Sequence, residues 1–188
     1  MAMIPTEEMT PDSLDTIHCM AKPAYGEIDN IYLHWTAGRY GQAYDDYHIC
    51  IDKGGEIYVM CDEFTERLNH TWHRNSYAMG IALCCGYDAT CNADGTVNLG
   101  SEPPTMEQIE SLAEVVAALS HDLELPLYNK EYIMTHCEAA EIDGYGPSTT
   151  CERWDLWKLP DYCGDGEMKD GGDLIRGKAA FYQRKWYE

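Results

Sequence analysis

The sequence predicts a single α/β domain in which a mixed central β-sheet is flanked by helices, and three observations lead to this class. The chain has 188 residues, which fits one domain with a sizeable core and leaves little room for a second. Strand-like and helix-like segments alternate along it. Two strand-like segments are joined by a short glycine-containing turn, and a hairpin makes its strands antiparallel, so the sheet must be mixed.

Residues 31–36 are the strand around which we expect the domain to be built. Their alternation is that of a half-buried strand, with Ile31, Leu33 and Trp35 on one face and Tyr32, His34 and Thr36 on the other. A loop of small residues, 37–41, follows. Before this strand, residues 11–21 are predicted to form a short helix that ends where Lys22 and Pro23 interrupt it.

The next segments are strands. Residues 47–51 and 56–60 flank Asp52–Gly55, which is predicted to be the turn of a hairpin with glycines where positive φ is needed. Residues 78–84 are short and apolar throughout, which is typical of a strand buried on both faces.

The second half of the chain is predicted to be mainly helical. A loop at residues 92–104 leads to a helix that opens with a capping box at Thr105–Gln108, and its apolar residues recur at helical spacing as a core stripe. Residues 132–136 are predicted to be a strand, followed by an irregular segment to about Leu159. A last helix is predicted from about Asp173 to Trp186.

The charge of the chain restricts its partners. The formal net charge is −20, from 33 acidic and 13 basic residues, so the surface repels nucleic-acid phosphates and anionic membranes. The one basic segment, Arg176–Lys185, has the pattern of a helix with cations toward its C-terminal end. We therefore expect no nucleic-acid partner and no membrane insertion.

The nine cysteines are an odd number and do not form a CxxC…CxxC zinc pattern. No apolar run approaches transmembrane length, and the first residues lack the basic start and apolar segment of a signal peptide. We expect synthesis in the cytoplasm with reduced thiols. The oligomeric state stays open.

Two histidines mark a candidate site. His34 lies near the end of the first strand, beside a glycine-bearing loop, and His136 closes the apolar run that begins at Tyr132. Two strand-end histidines about a hundred residues apart predict a metal or substrate site that is assembled by the fold.

Four ordered motifs resemble the zinc-dependent N-acetylmuramoyl-L-alanine amidases, the superfamily of the phage lysozyme-amidases and the peptidoglycan recognition proteins. These motifs are His34–Gly38, Tyr47–Tyr58, His70–Asn75 with Met79–Leu83, and Thr135–His136. The resemblance covers about residues 28–160 and implies the fold of that superfamily. It makes 1–188 one catalytic domain, with an N-terminal helix segment (1–27) and a C-terminal helix (161–188) as extensions.

The resemblance implies a zinc site of two histidines and one cysteine or aspartate. His34 and His136 match the histidines, and the third ligand is to be chosen from Asp143, Cys151 and Asp155. In the family a basic residue commonly lies two positions before this ligand, and Arg153 before Asp155 fits that pattern, so Asp155 is preferred and Cys151 is next.

The resemblance also implies roles around the metal. Tyr47 lies where several members carry a tyrosine near the zinc, and Arg153 is expected to stabilise an oxyanion. The alternative position for a catalytic glutamate is Ala82 here, which favours Tyr47. His70, Trp72 and Asn75 resemble residues that bind the substrate.

The function implied is hydrolysis of the amide bond between N-acetylmuramic acid and L-alanine in peptidoglycan or muropeptides. The hairpin motif favours a phage or prophage endolysin that acts on the cell wall if it is released or exported. A non-catalytic peptidoglycan-binding module and a cytoplasmic muropeptide-recycling amidase are the alternatives.

Overall fold

A five-stranded mixed sheet forms the centre of the computed structural model, which describes residues 2–92 and 95–188. The strands are β1 (Met3–Pro5), β2 (Asn30–Trp35), β3 (Gln42–Tyr44), β4 (Ile49–Ile51), β5 (Ile57–Val59), β6 (Ala78–Leu83), β7 (Thr90–Cys91), β8 (Val97–Asn98), β9 (Ile133–Thr135), β10 (Lys158–Pro160) and β11 (Met168–Asp170). The helices are α1 (Leu14–Ala24), α2 (Met106–Asp122), α3 (His136–Asp143) and α4 (Gly171–Tyr187), and Thr6–Glu8 form one 3-10 turn.

The order of the central sheet is β5-β4-β6-β2-β9. Strands β4, β6, β2 and β9 run parallel to one another, and the edge strand β5 is antiparallel to β4. Gly55 closes the β4–β5 turn with a φ of 86°, a left-handed conformation that glycine adopts without strain. The predicted hairpin and the mixed sheet are both confirmed.

Within the described residues, three two-stranded pairs lie outside this sheet, namely β1 with β3, β7 with β8, and β10 with β11. The sequence predicts none of them, because strands of two or three residues are too short to show an alternation. The predicted loop at 92–104 includes β8, and its residues 93 and 94 lie outside the described residues.

Strand β2 is buried on both faces, so the expectation of a half-buried strand is wrong. The predicted alternation is nevertheless present: Ile31 and Leu33 belong to the main core, whereas Tyr32 packs with a separate group on the opposite face. The reason for the double burial is position, because β2 lies between β6 and β9 in parallel register and each face is covered.

Helices α1, α2 and α4 pack on the face of the sheet that carries Ile31 and Leu33 and share its main core. Helix α2 begins with the predicted capping box, in which Thr105 and Gln108 bond to each other's backbone N–H groups. Helix α1 runs through Pro23 and ends at Ala24, three residues beyond its predicted end. A proline in the last turn removes only one hydrogen bond, close to the point where the helix ends, so the helix can include it.

Helix α3 contradicts the prediction that residues 137 to about 159 are irregular. His136 does not close a strand but begins this helix. Thr135 is its N-cap and accepts a hydrogen bond from the Glu138 N–H, while the Glu138 carboxylate accepts one from the Thr135 N–H. The short helix has a weak apolar stripe, so helical periodicity does not reveal it.

Arg176 of the basic segment is a core residue and not part of a surface patch. Its guanidinium donates to both carboxylate oxygens of Glu138, to Asp173 and to the backbone carbonyl of Ile133, and the residue is 3% exposed. It therefore ties α4 to β9 and α3. Within the described residues, no helix is both long and apolar enough to cross a bilayer.

Replacing Arg176 with alanine should lower the free energy of unfolding by about 2–4 kcal/mol, because the partly buried Glu138 carboxylate loses both guanidinium hydrogen bonds and the Ile133 carbonyl loses one. Urea unfolding measures this change. Arg184→Ala is the matched control, since Arg184 is exposed on the same helix and should change the value by less than about 0.5 kcal/mol. Equal effects of the two substitutions would contradict a structural role for Arg176.

Candidate metal centre

The parallel register of β2 and β9 brings His34 and His136 together. Leu33 of β2 pairs with Thr135 of β9. The residue that follows each of them is a histidine, so His34 and His136 lie at the same edge of the sheet. The two imidazole ring centroids are 4.7 Å apart. Both side chains are buried, with His34 fully excluded from solvent.

Asp155 reaches this pair from the loop between α3 and β10. Its Oδ2 lies 3.5 Å from His34 Nδ1 and 3.4 Å from His136 Nδ1. The loop is tied to α3 by the Cys137 N–H, which donates to the Asp155 backbone carbonyl at 3.3 Å. Leu156, which follows Asp155, has a φ of 56°, a conformation that nonglycine residues hold only when their surroundings impose it.

These three donors fit a zinc ion. His34, His136 and Asp155 are the one group of metal-ligating side chains that converges in the described part of the chain, with ligand atoms within 4.8 Å of one another. His34 Nδ1 is buried and has no hydrogen-bond partner among the residues that the structure describes, an arrangement that is costly unless the atom serves another purpose. Ligands bound tetrahedrally at about 2.0–2.1 Å lie roughly 3.3–3.4 Å apart. The two distances from Asp155 Oδ2 to the histidine Nδ1 atoms, 3.5 and 3.4 Å, are close to this value.

The electrostatics of the cluster favour the protonation states that a metal requires. Burial lowers the pKa of His34 to about 4, although Asp155 opposes this effect, so the imidazole is neutral at physiological pH. Burial alone would raise the pKa of Asp155, but His136 and His34 outweigh it and hold that pKa below its ordinary value. A neutral imidazole and an ionised carboxylate are the forms that bind metal ions.

The other two candidates for the third ligand have different partners. Asp143 accepts two hydrogen bonds from the Arg74 guanidinium, at 2.6 and 2.7 Å. The Sγ atom of Cys151 lies 3.1 Å from Cys91 Sγ. Neither residue belongs to the converging group formed by the described residues, so the geometry favours Asp155.

Tyr47 lies beside the cluster, with its ring centroid 5.1 Å from that of His34. Burial, followed by the charge of Asp155, raises the pKa of Tyr47 well above its ordinary value. The phenol therefore keeps its proton at neutral pH and can donate a hydrogen bond. Arg153 is close enough for its positive charge to act on both Tyr47 and His34.

A cleft of about 710 Å³ opens beside His136. The three residues that the resemblance implies for substrate binding, His70, Trp72 and Asn75, all line it. Trp72 is 64% exposed, while its ring meets Tyr145 edge to face at 5.8 Å. The remaining lining residues are Asn69, His136, Asp143, Gly144, Tyr145, Thr150, Glu152 and Arg153.

Two residues that sequence reasoning missed contact the candidate ligands. Thr71 Oγ1 is 3.2 Å from His34 Nε2, and Tyr145 Oη is 3.5 Å from His136 Nε2. Thr71 had a signal, since it lies inside the motif His70–Asn75. Tyr145 had none, because its position depends on the chain path after α3.

The family model of N-acetylmuramoyl-L-alanine amidase matches residues 14–154, which is most of the chain and stops one residue before Asp155. No curated protein sequence matches the chain. Among solved structures, the chain is similar to the endolysin N-acetylmuramoyl-L-alanine amidase LysCS from Clostridium intestinale URNW, with 19% identity and a TM-score of 0.44 over 61% of this chain and 72% of that one. It is also similar to the N-acetylmuramoyl-L-alanine amidase LysC from the same organism, with 19% identity and a TM-score of 0.43 over 69% and 76% of the two chains.

The family match includes His34, Tyr47, the motif His70–Asn75 and His136. Of these, His70, Trp72, Asn75 and His136 line the cleft, while the ring of His34 packs against those of His136 and Tyr47. The chain belongs to the N-acetylmuramoyl-L-alanine amidase family and is an enzyme of that class.

Proposed function

We propose that this amidase cleaves the bond between the lactyl group of N-acetylmuramic acid and L-alanine, using a zinc ion held by His34 Nδ1, His136 Nδ1 and Asp155. The observation that carries the proposal is the convergence of these three buried donors at the edge of the cleft. Three protein ligands leave the open position that a catalytic zinc site needs.

The zinc would lower the pKa of a water molecule and polarise the scissile carbonyl. The protein's own groups supply the rest. Arg153 carries a positive charge at the rim of the cleft, where it can stabilise the oxyanion that forms when the amide is attacked. Tyr47 holds its Oη proton at neutral pH, so it can donate to the oxyanion or pass the proton toward the leaving amine.

The walls of the cleft suit a glycopeptide. Trp72 offers an exposed aromatic surface to a sugar ring or an apolar stem residue. Asn75 Oδ1 accepts a hydrogen bond from the Thr71 N–H at 2.8 Å, and its Nδ2 amide remains to donate to a peptide carbonyl. His70 also lines the cleft but is 7% exposed, so little of its side chain is available to the substrate.

The complete donor set supports an enzyme over a non-catalytic peptidoglycan-binding module, which would lack a metal ligand. The biological role that we propose is a phage or prophage endolysin. It rests on the resemblance of the Tyr47–Tyr58 hairpin motif to the phage enzymes. A muropeptide-recycling amidase would use the same chemistry on small soluble substrates.

The zinc-loaded protein should release stem peptides with a free N-terminal L-alanine from intact sacculi, without releasing new reducing sugars. Amine labelling followed by mass spectrometry of the products measures this, with soluble muropeptides assayed in parallel and His34→Ala as the inactive control. Activity confined to soluble muropeptides would replace the endolysin with a recycling enzyme. Binding of sacculi without any cleavage would leave only the binding module.

A further inference from the structure

Behind His34, on the side away from Asp155, a buried chain of hydrogen-bonding groups continues from the candidate ligand. His34 Nε2 lies 3.2 Å from Thr71 Oγ1, and the same oxygen lies 2.9 Å from His70 Nδ1. His34 is 0% exposed, Thr71 1% and His70 7%, so water does not compete for these contacts. The chain therefore links an imidazole, a hydroxyl and a second imidazole in the protein interior.

The number of protons restricts this chain. A threonine hydroxyl has one proton, and a neutral imidazole has one N–H, on either Nδ1 or Nε2. If His34 Nδ1 is to present a lone pair to a metal ion, its proton must be on Nε2, where it can donate to Thr71 Oγ1. The hydroxyl proton of Thr71 is then free to donate to His70 Nδ1. His70 in turn must carry its own proton on Nε2, a buried atom that has no hydrogen-bond partner among the described residues.

The surroundings hold His70 in place as the end of this chain. Its ring packs over Gly80 of β6, where an added Cβ would lie 2.5 Å from His70 Cγ, so the absence of a side chain at this position makes room for the ring. Burial lowers the pKa of His70 to about 2, which keeps the imidazole neutral. The Thr71 N–H donates to Asn75 Oδ1 at 2.8 Å, which fixes the backbone that presents the hydroxyl.

We propose that Thr71 is a positioning residue for the metal centre: its hydroxyl, oriented by His70, holds His34 in the tautomer whose Nδ1 lone pair faces His136 and Asp155. This inference rests on the proposed zinc site. It gives His70 a supporting role, in addition to its place in the wall of the cleft. Groups that fix the tautomer and orientation of a ligating histidine commonly contribute about 10–100-fold to metal affinity.

The first test compares Thr71→Val, which keeps the shape of the side chain but removes the hydroxyl, with Thr71→Ser, which keeps the hydroxyl. Zinc affinity is measured by competition with a chromophoric chelator, and the melting temperature of each metal-free protein monitors the fold. We expect about 10–100-fold weaker zinc binding for the valine variant and affinity close to wild type for the serine variant. Equal zinc affinity for wild type and the valine variant would overturn the inference while leaving the zinc site intact.

The second test needs no variant and therefore does not depend on the valine protein folding. Long-range ¹H–¹⁵N spectra of the zinc-loaded wild type report which ring nitrogen of each histidine is protonated. We expect His34 protonated on Nε2 and His70 on Nε2, with His70 Nδ1 unprotonated. A His70 proton on Nδ1 would overturn the relay. A wild type that binds no zinc at all would overturn the proposed metal site and this inference with it.

Discussion

Replacing Asp155 with alanine should abolish stoichiometric zinc binding, and amidase turnover should fall with the metal content. The variant removes the carboxylate whose oxygen lies within 3.5 Å of both His34 Nδ1 and His136 Nδ1. Two histidines alone leave a site with too few ligands, so affinity should fall by more than the roughly 10–100-fold that a supporting residue contributes. Elemental analysis of the purified protein gives the zinc content, which should be one equivalent in the wild type.

The fold should survive this substitution, because the hydrogen bond that ties the loop to α3 uses the backbone carbonyl of Asp155 and not its side chain. Circular dichroism checks this point. Cys151→Ala is the matched control: it removes the alternative ligand four residues earlier, whose sulfur contacts Cys91, and should keep its zinc. Loss of zinc in the cysteine variant, with retention in the aspartate variant, would reverse the assignment.

Replacing Tyr47 with phenylalanine should lower turnover by about 100-fold or more while leaving zinc content and fold unchanged. The ring that packs 5.1 Å from His34 is retained, and only the hydroxyl is lost. A positioned proton donor or acceptor commonly contributes about 10²–10⁴-fold to the rate. The turnover number on muropeptides, measured at saturating substrate, is the quantity to compare.

Tyr58→Phe provides the control. Tyr47 lies two residues before β4, which begins at Ile49 and not at residue 47 as predicted, and Tyr58 lies in β5, the partner strand of β4. Tyr58 is buried in β5, the antiparallel edge strand. The Tyr58→Phe variant also loses a tyrosine hydroxyl, but outside the candidate site. Its turnover should stay close to the wild-type value. Unchanged turnover in the Tyr47 variant would remove that phenol from the mechanism and leave Arg153 as the remaining proposed contributor from the protein to oxyanion stabilisation.

Local patterns were sufficient for the main elements of the fold. The two-residue alternation of 31–36 predicted β2, the glycines at 54–55 predicted the hairpin, and the capping box at Thr105 predicted the start of α2. Each of these patterns involves residues only a few positions apart in the sequence, so the sequence alone can reveal the element. The elements that were missed, α3 and the pairs of two or three residues, are too short or too weakly patterned to produce such a signal.

For the site, the sequence by itself predicted that His34 and His136 belong together, because each lies near the end of a strand-like run and matches a histidine of the family's metal site. The parallel register of β2 and β9 places both residues at one edge of the sheet. For the third ligand, the sequence left Asp143, Cys151 and Asp155 open, and the tertiary structure favours Asp155 because it places that carboxylate next to both histidines. That choice depends on the path of an irregular loop, and the path is fixed by contacts far apart in sequence, such as those of Arg74 with Asp143 and of Cys91 with Cys151. The same holds for Thr71 behind His34, since no local pattern encodes a distance between residues 37 positions apart.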